Sequence, residues 1–168
     1  MKNINSKKSG FTLIELLIAV SLFAIAVAIS AGGFVRALRT QRQLIALISA
    51  NSSASLAIEQ MARAIRTGLD FNCLGGPLGV CEQLTFTTVA GDQITYLEEE
   101  GSLRIQTNDG KAQPLTPADA EIRNLQFILM NDPNYPPRVT ITMGVTAKSY
   151  GLEGSITNLQ TTVSSRNF

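Results

Sequence analysis

A run of 25 residues, from Phe11 to Val35, contains a single charged side chain, Glu15. About 20 consecutive apolar residues in a helix suffice to cross the hydrocarbon core of a bilayer. The run therefore predicts a transmembrane helix. An acid near the middle of such a helix costs about 2.5 kcal/mol or more, so Glu15 requires a partner that reduces this cost.

A secretory signal peptide is the alternative interpretation of the same segment. Its cleavage site would be an alanine–X–alanine pattern, which occurs at residues 24–26 and at residues 26–28. Its basic region would consist of Lys2, Lys7 and Lys8. Glu15 argues against this interpretation, because the apolar region of a signal peptide is the segment that should exclude charge. Plain membrane anchoring meets the same difficulty.

A cut between Gly10 and Phe11 would supply the missing partner. Cleavage there would give Phe11 a free, positively charged amine, and this amine and the Glu15 carboxylate could neutralise each other. The seven residues from Gly10 to Leu16, GFTLIEL, resemble the processing motif of type IV pilins and of type II secretion pseudopilins.

The resemblance implies a role for each of three residues. A membrane aspartic peptidase, the prepilin peptidase, cleaves between Gly10 and Phe11, and the new amine of Phe11 is N-methylated. Glu15 serves in assembly, its carboxylate facing the N-terminal amine of a neighbouring subunit as a filament grows. The implied partners are this peptidase, other pilins or pseudopilins through the N-terminal helix, an inner-membrane assembly platform, and membrane lipid before assembly.

These inferences divide the chain into three parts. Residues 1–10 are a cleaved basic leader, residues 11–35 a transmembrane and filament-core helix, and residues 36–168 an amphipathic helix with a globular head. The resemblance implies a single-pass protein of the cytoplasmic membrane, with the head in the periplasm or outside, that then enters an envelope-spanning filament. Charge alone leaves the orientation open, because three basic residues precede the span and three follow it.

Gly32 and Gly33 lie where many pilins carry a proline about halfway along the anchor. Two glycines weaken a helix by about 1 kcal/mol each, which favours a flexible joint. Close packing between membrane helices is the alternative role for such small residues.

Just beyond the span, Arg36, Arg39 and Arg42 form either a solvated or headgroup-facing edge or a contact with acidic neighbouring subunits.

The rest of the chain predicts an α+β head. Ile58, Met61, Ala62, Ile65 and Leu69 have the spacing of a buried helical stripe, and Gly68 is a plausible stop for a helix that begins at Phe11. Period-two segments then predict antiparallel strands, the first three as a meander, at residues 84–87, 94–97, 103–106, 122–130, 138–146 and 155–163. Helix first and strands afterwards favour a pilin-like fold, a long helix laid on an antiparallel sheet.

Cys73 and Cys81 bracket a stretch rich in glycine with one proline, which would easily bring their sulfurs together. In an exported head they are predicted to form a disulfide, and free thiols are the alternative. The loop at residues 131–137 offers oxygen ligands for calcium but matches no calcium-binding signature. A partner contact or an ordinary proline-stiffened connection are the other interpretations of this loop.

Composition excludes most catalytic functions. The chain has no histidine and only two cysteines, so neither the usual zinc ligand sets nor histidine-dependent triads can be assembled from it. No nucleophile elbow, paired-acid motif or phosphate loop is present. We therefore predict a protein that is not an enzyme and that needs no cofactor or metal. From residue 43 onward the chain carries 8 basic and 12 acidic side chains, which makes nucleic acid an unlikely partner.

The predicted function is that of a minor pilin or pseudopilin that helps to start or cap a filament for type II secretion or for a type IV pilus. Three segments loosely resemble the J-type pseudopilins and related minor pilins: residues 57–68, 122–127 and 164–167. Retention of Glu15 favours a position just below the filament tip. The alternative is a competence pilin or an adhesin whose head binds DNA or a surface ligand.

Overall fold

The computed structural model of the chain describes residues 10–76, 79–132, 134–149, 151–152 and 154–166. The first nine residues of the proposed leader lie outside this range, as do Pro77 between the cysteines and Pro133 in the loop considered for calcium. The chain divides into two compact units, Met1–Arg42 and Gln43–Phe168.

The first element is one long helix, α1, which comprises Leu13–Arg66. Its last turn tightens, since the Thr67 and Gly68 amides donate to carbonyls three residues earlier. Gly68 follows the helix as the sequence predicts, but close packing is the reason: a Cβ there would lie 2.6 Å from Cδ2 of Phe86. Any larger residue at position 68 would collide with this ring.

Within the described residues nine strands follow the helix, so the predicted α+β fold is confirmed. Their bounds are β1 Leu69–Leu74, β2 Val80–Cys81, β3 Gln83–Thr87, β4 Gln93–Glu99, β5 Ser102–Thr107, β6 Gln113–Pro114, β7 Ala120–Met130, β8 Arg138–Ala147 and β9 Thr157–Ser164. All the described pairings are antiparallel. Five of the six segments predicted as strands lie within a strand, and the sixth, residues 155–163, begins two residues before β9.

The strands form two sheets. The first has the order β1-β3-β4-β5-β6 and contains the predicted meander, whereas the second has the order β2-β7-β8-β9. Sequence periodicity does not predict β1, β2 or β6, because β1 is interrupted by a bulge and the other two have only two residues each.

The core of the second unit lies between the C-terminal part of α1 and the sheets. Met61 and Ile65 are fully buried, as the predicted stripe requires, but Ile58 and Ala62 are only half-buried and Leu69 belongs to β1. The helix instead continues its buried stripe through small residues: Ala50, Ala54 and Ala57. Burial raises the pKa of the Tyr96 hydroxyl, from a strand of the first sheet, to about 12.

Candidate functional site

The N-terminal part of α1, with the residues just before it, is uncovered throughout residues 10–42, the part of its compact unit that the structure describes. Every residue from Gly10 to Arg42 is exposed, including Leu13, which is 81% exposed, and Phe23, which is 69% exposed. The most apolar window of α1 has a mean hydropathy of 2.6, and none of it is buried. The helix is long and apolar enough to cross a membrane.

Glu15 lies in the first turn of this helix, where it closes a reciprocal cap with Thr12. The Thr12 amide and hydroxyl both donate to Oε2 of Glu15, at 3.2 and 3.0 Å. In return, the Glu15 amide donates to Oγ1 of Thr12 at 3.4 Å. This arrangement is a capping box, which satisfies two of the amides that the start of a helix leaves unpaired.

Thr12 is therefore a residue of the site that the sequence analysis misses. Its signal is readable, because threonine followed three positions later by glutamate, just before an apolar run, is the sequence pattern of a capping box. In a membrane this cap matters more than in water, since no solvent is available to accept hydrogen bonds from the first amides.

The cap uses only one oxygen of the Glu15 carboxylate. Both donors from Thr12 go to Oε2, and within the described part of the chain no donor is recorded for Oε1. The side chain is exposed on a helix that is itself exposed. The carboxylate can thus cap its own helix and still accept a charge-assisted hydrogen bond from another group.

The proposed cleavage junction precedes the helix. Gly10 and Phe11 are outside α1, and Phe11 is 81% exposed. A Cβ built on Gly10 would meet no atom within 4 Å. The junction is thus uncovered, as access by a peptidase requires, and the amine produced by cleavage would lie next to the capping box.

The helix continues without interruption through Gly32 and Gly33, near the end of the anchor. Both are exposed, and a Cβ on either would meet nothing within 4 Å, so neither is required by packing inside the chain. The polar side chains of Ser21 and Ser30 donate to carbonyls four residues earlier, each at 2.8 Å. These bonds satisfy the hydroxyls without water and make serine compatible with a membrane helix.

In the head, the predicted bond between Cys73 and Cys81 is present, with a Cα–Cα distance of 5.4 Å. The residues belong to β1 and β2, which are edge strands of the two different sheets. The disulfide therefore links the two sheets covalently at neighbouring edges. Phe71 on β1 also packs on Phe86 of β3, with ring centroids 5.5 Å apart.

The other candidate residues of the head do not form a site. In the run of three glutamates at residues 98–100, Glu99 and Glu100 both pair with Arg104, at 3.3 and 2.9 Å, so these two charges are compensated locally. In the loop considered for calcium, Oδ1 of Asp132 accepts hydrogen bonds from Asn134. Among the residues that the structure describes, no group of three or more acidic or cysteine side chains is arranged to hold a metal ion.

Comparison with known protein families gives one match. Residues 5–31 match the family model described as the prokaryotic N-terminal methylation motif. This segment includes the junction, the capping box and most of the apolar span. Searches of curated proteins and of solved structures gave no match.

Proposed function

We propose, from the premise that the methylation motif marks a type IV pilin-like prepilin, that this chain is a structural minor subunit of an envelope-spanning filament. It is cut after Gly10, methylated on Phe11, held in the cytoplasmic membrane by α1, and then drawn into the filament. One observation carries the proposal: within the matched motif, the acid of an otherwise apolar exposed helix keeps one carboxylate oxygen open.

The proposed mechanism couples cleavage to assembly. The Phe11 amine made by the cut lies one residue before Thr12, whose amide already donates to Glu15. In an isolated subunit this amine can neutralise the carboxylate of its own chain. In a filament the amine of a neighbour takes this place through Oε1, and charge neutralisation in an apolar bundle then fixes the axial register between subunits.

The apolar surface of the helix supports the same proposal. A helix whose side chains are exposed all round must be covered by lipid or by other helices. Transfer of the helix from lipid to a helical bundle changes the hydrophobic free energy little. Packing and polar pairing therefore determine the axial position of each helix relative to its neighbours. Gly32 and Gly33 permit close approach or local bending at this stage, because no side chain obstructs the backbone there.

Among filaments of this class, we favour a minor subunit of the J type in a type II secretion system, or a related minor pilin. The support is the likeness of residues 57–68 and 122–127 to such proteins, together with retention of Glu15, which fits a subunit with a neighbour above it. A DNA-binding role in competence has less support, because the head is acidic and lacks tryptophan for base stacking.

Peptidase-dependent co-assembly tests the proposal. A photoreactive side chain placed at Leu17, which is 59% exposed, should cross-link to helices of other pilin-like subunits in cells that contain the prepilin peptidase. The same probe at Val89, an exposed head residue outside the strands, serves as the control for random collisions. Cross-links at Leu17 that are equally abundant without the peptidase, or that match those at Val89, would contradict filament assembly.

A further inference from the structure

Three arginines lie on one side of α1 directly after the apolar run: Arg36, Arg39 and Arg42. All three are exposed. Each step of three residues turns the helix by 300°, so the three side chains lie within an arc of about 120°. They are also the only charged residues between positions 16 and 58, a stretch of 43 residues. The group is therefore a concentrated positive charge on a stretch of helix, residues 16–58, that carries no other charged side chain.

These arginines have no acidic partner in the described part of the chain. The ion pairs there involve other arginines, namely Arg63, Arg104 and Arg123. Glu15, the one acid in the same unit, precedes Arg36 by 21 residues, which corresponds to about 31 Å along the helix. At that distance, far beyond the ~4 Å limit of a salt bridge, the Glu15 carboxylate cannot form an ion pair with the arginines.

The position of the group along the helix matches the edge of a membrane. From Leu13 to Val35 the helix has 23 residues and a length of about 34 Å, slightly more than the hydrocarbon core of about 30 Å. The group of arginines thus begins, with Arg36, at the boundary of the hydrocarbon core. The group extends over about 9 Å, compared with about 5–8 Å for the headgroup layer of one leaflet. Its first two members fall within this layer and Arg42 at its aqueous edge.

We propose that these three residues form a binding site for the phosphate groups of anionic phospholipids. Guanidinium groups bind phosphate through two parallel hydrogen bonds. Long side chains at the end of a span can also extend along the membrane normal, so that their charged groups reach the headgroup layer. The site rests on the membrane anchoring of the proposed function. After the proposed cut removes Lys2, Lys7 and Lys8, it is the basic group next to the span and holds the unassembled subunit in the bilayer.

Lipid selectivity of the full chain tests this site. The processed protein is reconstituted in phosphatidylcholine vesicles with a minor fraction of phosphatidylglycerol, and the motion of spin-labelled forms of each lipid reports which contacts the protein. We expect phosphatidylglycerol to be enriched about fivefold at the protein surface, the factor for one basic residue near an anionic surface. Replacing all three arginines by glutamine should abolish the enrichment, and replacing them by lysine should retain most of it.

Arg63→Gln with Arg66→Gln is the matched control, since these arginines lie on the same helix but in the other unit, and it should leave the enrichment unchanged. Equal enrichment by the wild type and the triple glutamine variant would overturn the lipid site. Absence of enrichment, with self-association that the triple variant weakens, would assign the arginines to acidic heads of other copies. Release of the wild type from vesicles at alkaline pH would instead contradict the anchor itself.

Discussion

Replacing Glu15 by glutamine is expected to lower incorporation of the processed chain into filaments by at least tenfold, while removal of residues 1–10 continues as before. A hydrogen bond to a charged group contributes about 1.5–3 kcal/mol, which corresponds to roughly 10- to 150-fold in an equilibrium constant. Glutamine keeps an oxygen that can accept from Thr12, so the helix cap survives in this variant. The variant therefore isolates the effect of the charge. Pull-down of the partner subunits from detergent extracts measures the incorporation.

Two further variants separate capping from charge pairing. Glu15→Ala removes both functions and should assemble no better than the glutamine variant. Thr12→Ala removes the reciprocal cap, at a cost of about 1 kcal/mol to the helix, but leaves the carboxylate charged; its incorporation should stay within a few-fold of the wild type. Normal assembly of Glu15→Gln would contradict the charge-pairing mechanism. A defect in Thr12→Ala as large as that of Glu15→Gln would indicate that the cap is what assembly requires.

Loss of the disulfide is expected to have the second large effect, on the stability of the head. Replacing Cys73 and Cys81 by alanine opens a loop of nine residues, which costs about 2.5 kcal/mol of unfolding free energy in the loop-entropy model. Alanine is preferred to serine because Cys81 is 1% exposed, and a hydroxyl there would be buried. For a head of this size we expect the thermal midpoint to fall by about 10 °C.

Reduction of the wild type gives an independent measure of the contribution of the disulfide to the stability of the head. A reducing agent should lower the thermal midpoint of the wild type to near that of the double alanine variant and leave the variant unchanged. The effect should be local to the seam between the two sheets, so amide exchange should rise most in β1 and β2. An unchanged midpoint after both treatments would show that packing alone joins the sheets.

The sequence predicts the fold where one strong periodicity dominates. The apolar run predicts the first half of α1, and alternation predicts β3, β4, β5, β7, β8 and β9, because each presents one face to the core. It does not predict that the strands separate into two sheets, since this depends on pairings between distant segments. The buried helix stripe is also misplaced towards Ile58, because the alanines that contact the sheets carry a weak apolar signal.

Glu15 and the pair of Cys73 and Cys81 are candidates that the sequence alone identifies, for physical reasons. An acid in a membrane-length apolar helix is costly, so a single glutamate within the apolar run is by itself a sign of a functional residue. The pairing of Cys73 with Cys81 likewise follows from a short turn-rich loop. Periodicity does not predict the geometry within the first turn. Which oxygen of Glu15 accepts the hydrogen bonds of Thr12, and which one stays open, depends on the side-chain rotamers of both residues.

If cleavage after Gly10 creates the positive charge that Glu15 requires, Phe11 must be the N-terminal residue of the mature chain. Intact-mass and N-terminal peptide measurements on the chain purified from membranes should find Phe11 as the first residue, carrying one methyl group, in cells with the prepilin peptidase. Cells without the peptidase should retain the leader. A chain that begins at Met1 in both strains, or one cut between positions 26 and 29 as a signal peptide would be, would contradict this account.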